Sequence, residues 1–352
     1  MSKKLNLVIL KNELPDDHLL WINACNDYDD KVTYRIIDLT KNNWLDNIRK
    51  EPFDILLTKP GGINSQFKQL YDERVFILNN VLGYKLYPSA NEVYIYENKR
   101  FLSFWLEANN IPHPNTFVFY HLNEAINFLE TQTFPIVAKT SIGASGSGVE
   151  ILRTKELAMK YLKKTFSGKG AFQRTGPDFT KGNLIKRSIN YVLNPSKIKN
   201  KINVYKLRSE STQKCFVIFQ QYIPHDFEWR VVRIGDSFFA HKKLIKNQKA
   251  SGSLLKEYLN PPLDLFNFVK NITDRFNFYS QAIDIFEAEN GYLINEMQCI
   301  FGQSDSYQMK VDGKIGRYIY NNNKWLFEEG DFNKNESYNL RIKYLIDLSN
   351  FK

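Results

Sequence analysis

Hydrophobic and polar residues fall into short blocks along the first 88 residues, and the blocks switch between two periods. Residues 5–10, 32–39 and 54–58 are runs rich in Val, Ile and Leu, which predict buried strands. Residues 16–26, 42–50 and 66–82 carry apolar positions at helical spacing between and after them. That alternation predicts a small parallel sheet with helices on its faces. Lys59-Pro-Gly-Gly62 follows the third strand at the carboxyl edge, where ligands of such sheets tend to bind.

Further along, residues 90–110 predict a helix that carries Lys99 and is stopped by Ile111-Pro-His-Pro114. Residues 117–120 predict a strand, 123–130 a helix, and Phe134-Pro-Ile-Val-Ala-Lys139 another strand. A small-residue loop, Ser141-Ile-Gly-Ala-Ser-Gly-Ser-Gly148, comes at once, then a helix over about 154–163. After a long segment without sustained periodicity, strands are predicted over 215–222, 228–235 and 237–244. The last two form a hairpin turning at Gly235-Asp236. Residues 262–278 are helical by spacing, and 281–287 and 292–298 form a further strand pair. A polar tail with a final amphipathic helix over about 338–348 closes the chain, with no internal repeat or low-complexity block.

Composition adds bounds. At 352 residues the chain has room for two or three lobes. Met1-Ser-Lys-Lys leads into a strand-length apolar run, so no secretory leader is expected. No apolar run approaches the roughly 20 residues of a bilayer span. Cys25, Cys215 and Cys299 are scattered without metal-type spacing, so free thiols in a reducing cytoplasm are expected.

Charge changes the picture more. Of the net +10, twelve Lys/Arg lie between Lys164 and Lys214 against only Asp178 and Glu210. This one segment holds the whole excess, so the remainder of the chain is near neutral.

Two stretches carry candidate chemistry. In the loop after Lys139, three glycines and three serines in eight residues let backbone N–H groups approach a ligand, and the adjoining lysine adds a mobile positive charge. Anion recognition is the usual reason for such a pairing, although a hairpin turn beside a solvated lysine would read much the same. The second stretch is the late strand pair. Asp284 stands in the apolar Ala282-Ile-Asp-Ile-Phe286, and Glu296 and Gln298 project to one face of their strand. Oxygen-bearing side chains converging there would suit a hard cation such as Mg²⁺; a solvated strand face is the alternative. An unpaired carboxylate among apolar neighbours is costly, which favours the first.

Several features come in a telling order: Lys99 on a helix, Lys139 before the Gly/Ser loop, Gln220-Gln-Tyr-Ile223 closing a strand, Glu228-Trp-Arg230, and Asp284 with Glu296-Met-Gln298. Together they resemble the ATP-grasp superfamily, specifically the glutathione synthetase-type, RimK-like carboxylate–amine ligases, over roughly residues 85–305. The resemblance implies an α/β (α+β ATP-grasp) fold, an N-terminal parallel β/α lobe followed by two α+β subdomains that clasp ATP between them. Its divisions would be a pre-ATP-grasp domain over 1–88, a first subdomain over 89–220 and a C-terminal subdomain with the metal site over 221–352.

The resemblance also implies roles. Lys99 and Lys139 match the lysines that contact nucleotide phosphates. Ser141, Gly143, Ser145, Gly146, Ser147 and Gly148 match the loop closing over the β- and γ-phosphates. Gln221, Tyr222 and Ile223 match the hinge that reads adenine, and Glu228 the acid that holds the ribose. Asp284, Glu296 and Gln298 match ligands of Mg²⁺ or Mn²⁺, and Arg230 and Lys243 match catalytic cations near the transferred phosphoryl group. The implied reaction is amide formation from a carboxylate and an amine through an acylphosphate, with ATP giving ADP and phosphate. A kinase that stops at a phosphorylated product and a nucleotide-binding module without turnover are the competing readings.

The sequence departs from the family pattern at Gln298, where Asn is usual, and at Ile300-Phe301-Gly302, which keeps only the glycine of a small-Pro-Gly run. It also carries the basic segment 164–214 where a quick return to the hinge strand is usual. That insertion would suit an anionic acceptor such as an acidic glycan, a sugar nucleotide or an acidic peptide, or serve as a solvated excursion without a role. Expected partners are small-molecule, glycan or peptide carboxylates and amines, in a cytoplasmic protein expected as a homodimer, dimers or tetramers being usual among the family it resembles. No nucleic-acid reading module is visible.

Overall fold

The computed structural model describes residues 4–143, 148–171, 202, 204–207, 212–246, 249–250, 255–303 and 305–350. The chain divides into two compact units. One comprises Met1–Gly61, Phe67–Tyr96 and His225–Lys352; the other comprises Gly62–Gln66 and Glu97–Pro224.

The first unit opens with a parallel sheet in the order Val32–Asp38, Leu5–Lys11, Ile55–Leu57, Leu86–Tyr87. Its central strand is apolar because helices flank it, and Val8, Ile9 and Leu10 are fully buried. The C-terminal helix Tyr338–Asn350 joins this same core through Tyr338, Ile342, Leu345 and Ile346. Tyr338 packs edge-on against Trp21 at 4.7 Å.

The same unit holds a nine-stranded sheet. Its main path runs Gly291–Gln298, Ser280–Ala288, Phe227–Ile234, Ser237–Lys246, Lys314–Asn321 and Lys310–Val311, every pairing antiparallel. Lys249–Ala250 and Lys256–Glu257 pair beside Ser237–Lys246, and Lys324–Glu329 beside Lys314–Asn321. The Ser280–Ala288 strand lies between two neighbours and is buried along its first seven residues.

Glu92 links the two sheets of this unit. Ser89 caps the Ala90–Ile95 helix in a capping box, donating its N–H to Glu92 Oε2 at 2.8 Å. The other carboxylate oxygen, Oε1, accepts from Ser280 N–H at 2.9 Å and from Gln281 Nε2 at 3.3 Å. The start of the Asp284 strand is thereby tied to the start of a helix 188 residues earlier.

The second unit is a four-stranded antiparallel sheet, Thr116–Phe119, Val217–Gln221, Ile136–Lys139, Val149–Leu152, with the helices Leu122–Thr131 and Lys155–Phe166 against it. The helix Lys99–Ala108 belongs to this unit as well.

Three expectations are corrected. The helix expected over 90–110 is two helices, Ala90–Ile95 and Lys99–Ala108. Tyr96 turns extended, Glu97 takes a left-handed φ of 51°, and Asn98 restarts the helix as its cap. The helix expected over 66–82 runs as α-helix over Ser65–Phe76 and widens to a π turn over Ile77–Val81. The polar tail contains the hairpin Lys314–Asn321/Lys324–Glu329, turning on Asn322 and Asn323 at φ 49° and 60°. Two consecutive positive φ values are what a tight hairpin turn demands, and Asn tolerates them.

Candidate functional site

In the first unit, strand register gathers the charged residues. Directly opposed residues of an antiparallel pair share a face. Glu296 opposes Asp284, Asp284 opposes Arg230, and Arg230 opposes His241, forming one row across four strands. One row over, Glu228 opposes Lys243, and on the other side Gln298 opposes Ala282. A bulge after Asp284 shifts the register from Glu296 to Ile294. The extra residue, Asn295, is re-aimed by it and donates from Nδ2 to Glu228 Oε1 at 3.0 Å.

The charges are joined closely. Arg230 grips Asp284 with Nε to Oδ1 at 2.8 Å and Nη2 to Oδ2 at 2.9 Å. Lys243 Nζ donates to the same Oδ2 at 2.6 Å and to Glu228 Oε2 at 2.9 Å. Asp284 is 1% exposed, and Glu228 and Lys243 are 5% each, so these are buried charges that need their partners. Burial works against the Asp284 charge, but Arg230 and then Lys243 outweigh it and hold the carboxyl well below the ordinary range. Burial likewise opposes the Lys243 charge, and Asp284 and Glu228 reverse that, raising its pKa.

Asp284, Glu296 and Gln298 offer two carboxylates and an amide oxygen on one face of two paired strands, a donor set that suits a hard divalent cation. Among the described residues no group of three or more His, Cys, Asp and Glu is gathered for a metal, so the third donor would be Gln298 or come from a ligand. Cys299, beside this set, is buried, and burial pushes its thiol well up, away from a nucleophile's range.

In the second unit the two lysines are positioned by backbone stitching. Lys139 ends the strand Ile136–Lys139 opposite Ile218 and Val149, and is 8% exposed. Two residues on, the Ser141 carbonyl accepts the Lys99 N–H at 2.9 Å, and Ser141 Oγ donates to Asn98 Oδ1 at 3.0 Å. Asn98 Oδ1 also accepts the Phe101 N–H at 3.2 Å, so the cap of the Lys99 helix is shared with the loop. Lys99 Nζ donates to the Gly143 carbonyl at 2.7 Å and lies 3.8 Å from Glu97. Gly143 has φ 143°, a backbone that other residues avoid.

The far end of the loop is closed by Thr140 N–H to the Gly148 carbonyl at 2.8 Å. Gly148 cannot carry a side chain, since a Cβ there would stand 1.8 Å from Thr140 Oγ1. Ser145, Gly146 and Ser147 lie outside the described residues. Gln221 ends its strand, its N–H donating to the Asn115 carbonyl at 2.8 Å, and Tyr222 and Ile223 follow.

The structure thus brings Lys99, Ser141 and Gly143 together in one unit with Lys139, Gly148 and Gln221–Ile223. It brings Glu228, Arg230, Lys243, Asp284 and Glu296 together, with Gln298, in the other. It adds residues the sequence did not single out. Asn98 and Gln213 buttress the loop, with Gln213 Oε1 accepting the Ser141 N–H at 2.6 Å and Nε2 donating to the Phe216 carbonyl at 3.1 Å. Asn295 and His241 extend the charged face. Of these, Asn98 alone had a signal, as a polar residue opening a helix; the others act through contacts distant in sequence. The basic segment 164–214 falls for the most part outside the described residues.

No protein-family model matches the sequence, and no curated protein matches it. Solved structures do. D-alanine–D-alanine ligase from Bacillus anthracis aligns over 84% of this chain and 87% of its own, at 14% identity and a TM-score of 0.50. The biotin carboxylase domain of 2-oxoglutarate carboxylase from Hydrogenobacter thermophilus, solved with ADP and magnesium, aligns over 85% and 65%, at 14% and 0.52. An ADP complex of N5-carboxyaminoimidazole ribonucleotide synthetase aligns over 85% and 72%, at 14% and 0.50. A parallel β/α sheet, two antiparallel sheets and this likeness give the chain the ATP-grasp fold.

Proposed function

We propose that the chain is an ATP- and Mg²⁺-dependent ligase that joins a carboxylate to an amine. The observation that carries this reading is the row Glu296–Asp284–Arg230, half-buried at its ends and buried at Asp284, with buried Lys243 and Glu228 beside it. Burying this much charge is expensive for stability alone, and sites of phosphoryl transfer require such groups. Asp284, Glu296 and the Gln298 amide would hold the cation. A bound Mg²⁺ or Mn²⁺ would neutralise charge on the nucleotide phosphates and on the group in transfer.

Lys99, Lys139 and the Ser141–Gly148 segment would bind the phosphates, by charge and by backbone N–H groups. Gln221–Ile223 and Glu228 would bind the adenosine. Arg230 and Lys243 would stabilise the phosphoryl group as a substrate carboxylate oxygen attacks the γ-phosphorus and ADP departs. The amine then attacks the acylphosphate carbonyl, and phosphate leaves as the amide forms. The positive excess of residues 164–214 supports an anionic partner, an acidic glycan, a sugar nucleotide or an acidic peptide.

The test is phosphate release from MgATP across a panel of amino acids and sugar acids with an amine pool. A ligase yields ADP and free phosphate only with both partners present, whereas a kinase leaves phosphate on its product. Glu296→Ala should abolish turnover; activity that survived would remove the metal site from this reading.

A further inference from the structure

The row Glu296–Asp284–Arg230 continues to His241, to which the reading above gives no role. His241 is 1% exposed. Its Nδ1 lies 3.0 Å from the Gln308 carbonyl oxygen, and because a carbonyl only accepts, Nδ1 carries the proton. Nε2 is then a bare acceptor, buried and without a hydrogen-bond partner among the described residues. An unmet buried acceptor is costly to the fold. Burial, then Arg230 and Lys256, lower the imidazole pKa to about 3, so the ring stays neutral and the lone pair stays available.

Arg230 has two cross-strand neighbours, Asp284 on one side and His241 on the other, both directly opposed. Opposed Cβ atoms lie about 4.5–5.5 Å apart in antiparallel pairs, so the side chain can serve either neighbour by rotation alone. At present it takes the charged one. A divalent cation on Asp284 would compete with Arg230 and Lys243 for its two oxygens, and its charge would repel the guanidinium. Lys243 has Glu228 as a second partner. Glu228 is already engaged by Lys243 and Asn295, and Glu296 would share the cation, so the cross-strand neighbour of Arg230 with an unpaired acceptor among the described residues is His241.

We infer that His241 is a positioning residue for Arg230: when Asp284 engages the cation of a bound metal–nucleotide, the guanidinium turns from Asp284 and donates to His241 Nε2. This rests on the nucleotide reading of the site. In that position one N–H is fixed by the imidazole, and the others are left for the phosphoryl group. No bond is made or broken, and only a hydrogen-bond donor changes partner.

The experiment is ¹⁵N NMR of protein labelled at its five histidines, with His241 assigned through His241→Asn. That variant's amide can keep the bond to Gln308. MgADP is added to saturation, and its binding is measured separately by calorimetry. The expected result is an Nε2 signal of an unbonded ring nitrogen before addition and an upfield shift, the mark of an accepted hydrogen bond, after it. In Arg230→Met, which has no side-chain donor, the shift should be lost at MgADP concentrations that calorimetry shows to saturate that variant.

Three outcomes overturn the inference. They are an unmoved Nε2 with MgADP bound, an Nε2 already hydrogen-bonded before addition, and a shift that persists in Arg230→Met. Failure of MgADP to bind at all is a different result, which removes the nucleotide reading and the inference with it.

Discussion

Arg230 and Asp284 face each other from adjacent antiparallel strands and are joined by two parallel N–H···O bonds, 2.8 and 2.9 Å long. Removing one side leaves the other buried without a counter-charge. Asp284→Ala should therefore destabilise the protein by about 3–5 kcal/mol, and Asp284→Asn by less, since the amide retains one acceptor. Urea unfolding with an unchanged slope is the measurement. The folded-state pKa of Asp284 is depressed, so its contribution is present above the unfolded value of about 3.9 and is lost as the pH falls below it. The gap between wild type and Asp284→Asn should close on acidification.

Glu92 should behave in the opposite sense. Burial pushes its carboxyl up to about 7, against four donated hydrogen bonds from Ser89, Ser280 and Gln281 that favour the charge. A raised acid contributes stability that is complete below its unfolded pKa of about 4.3 and is lost as the pH rises through the folded value. Wild-type stability should fall by roughly 3 kcal/mol between about pH 4.5 and 7.5 from this group. Glu92→Ala should remove that slope, as read from unfolding midpoints across the range.

Gly148→Ala should disturb the loop after Lys139. The added Cβ would meet Thr140 Oγ1 at 1.8 Å and Thr140 Cβ at 2.8 Å. Thr140 is 1% exposed and bonded through its N–H to the Gly148 carbonyl, so it cannot step aside. Overpacking of this kind costs about 1–3 kcal/mol. ADP affinity measured by calorimetry should drop at least about tenfold, whereas an open-site substitution such as Gly83→Asn should leave it unchanged.

The parts of this fold legible in the sequence are those written in local pattern. Apolar runs marked Leu5–Lys11, Val32–Asp38 and Ser280–Ala288, and Gly235 marked the hairpin joining Phe227–Ile234 to Ser237–Lys246. The break at Tyr96–Asn98 was hidden because helical spacing of apolar residues continues across it, while the backbone signal rests on Glu97 turning left-handed. The Lys314–Glu329 hairpin was obscured by an Asn-Asn turn without glycine and by the shortness of its apolar runs, Tyr318-Ile-Tyr320 and Trp325-Leu-Phe327.

At the candidate site, the lysines, acids and small-residue loop could be named because their types and order are distinctive. Asn295 could not, since a bulge alone brings it to Glu228. Gln213 and His241 were equally silent, being ordinary residues whose partners lie 72 and 67 positions away.

Gln213 supplies a prediction of its own. Its Oε1 is the acceptor for the Ser141 N–H at 2.6 Å. In Gln213→Ala that amide loses its bond, and its hydrogen exchange should quicken at least about tenfold, the equivalent of about 1.4 kcal/mol of local stability. Exchange at Val8 and Ile9 in the other unit's core should stay as it was.

The basic segment bears on acceptor choice. Neutralising four of Lys186, Arg187, Lys197, Lys199 and Lys201 should raise the acceptor KM and leave ATP affinity intact, if an anion is recruited there. Steady-state kinetics with the acceptor found by the panel would decide it, and unchanged constants would discard recruitment.

The nine-stranded sheet ends, on one side, at Lys324–Glu329, whose only strand partner among the described residues is Lys314–Asn321. Such a rim presents open backbone donors and acceptors that a second chain could copy into a growing ribbon. Here Lys324, Glu328 and Glu329 crowd the rim with charge, and Leu326 is its one well-exposed apolar residue. A strand docking there would have to strip water from those charges. The hairpin that widens the sheet therefore also guards it, keeping neighbouring copies in a crowded solution from zipping together at this margin.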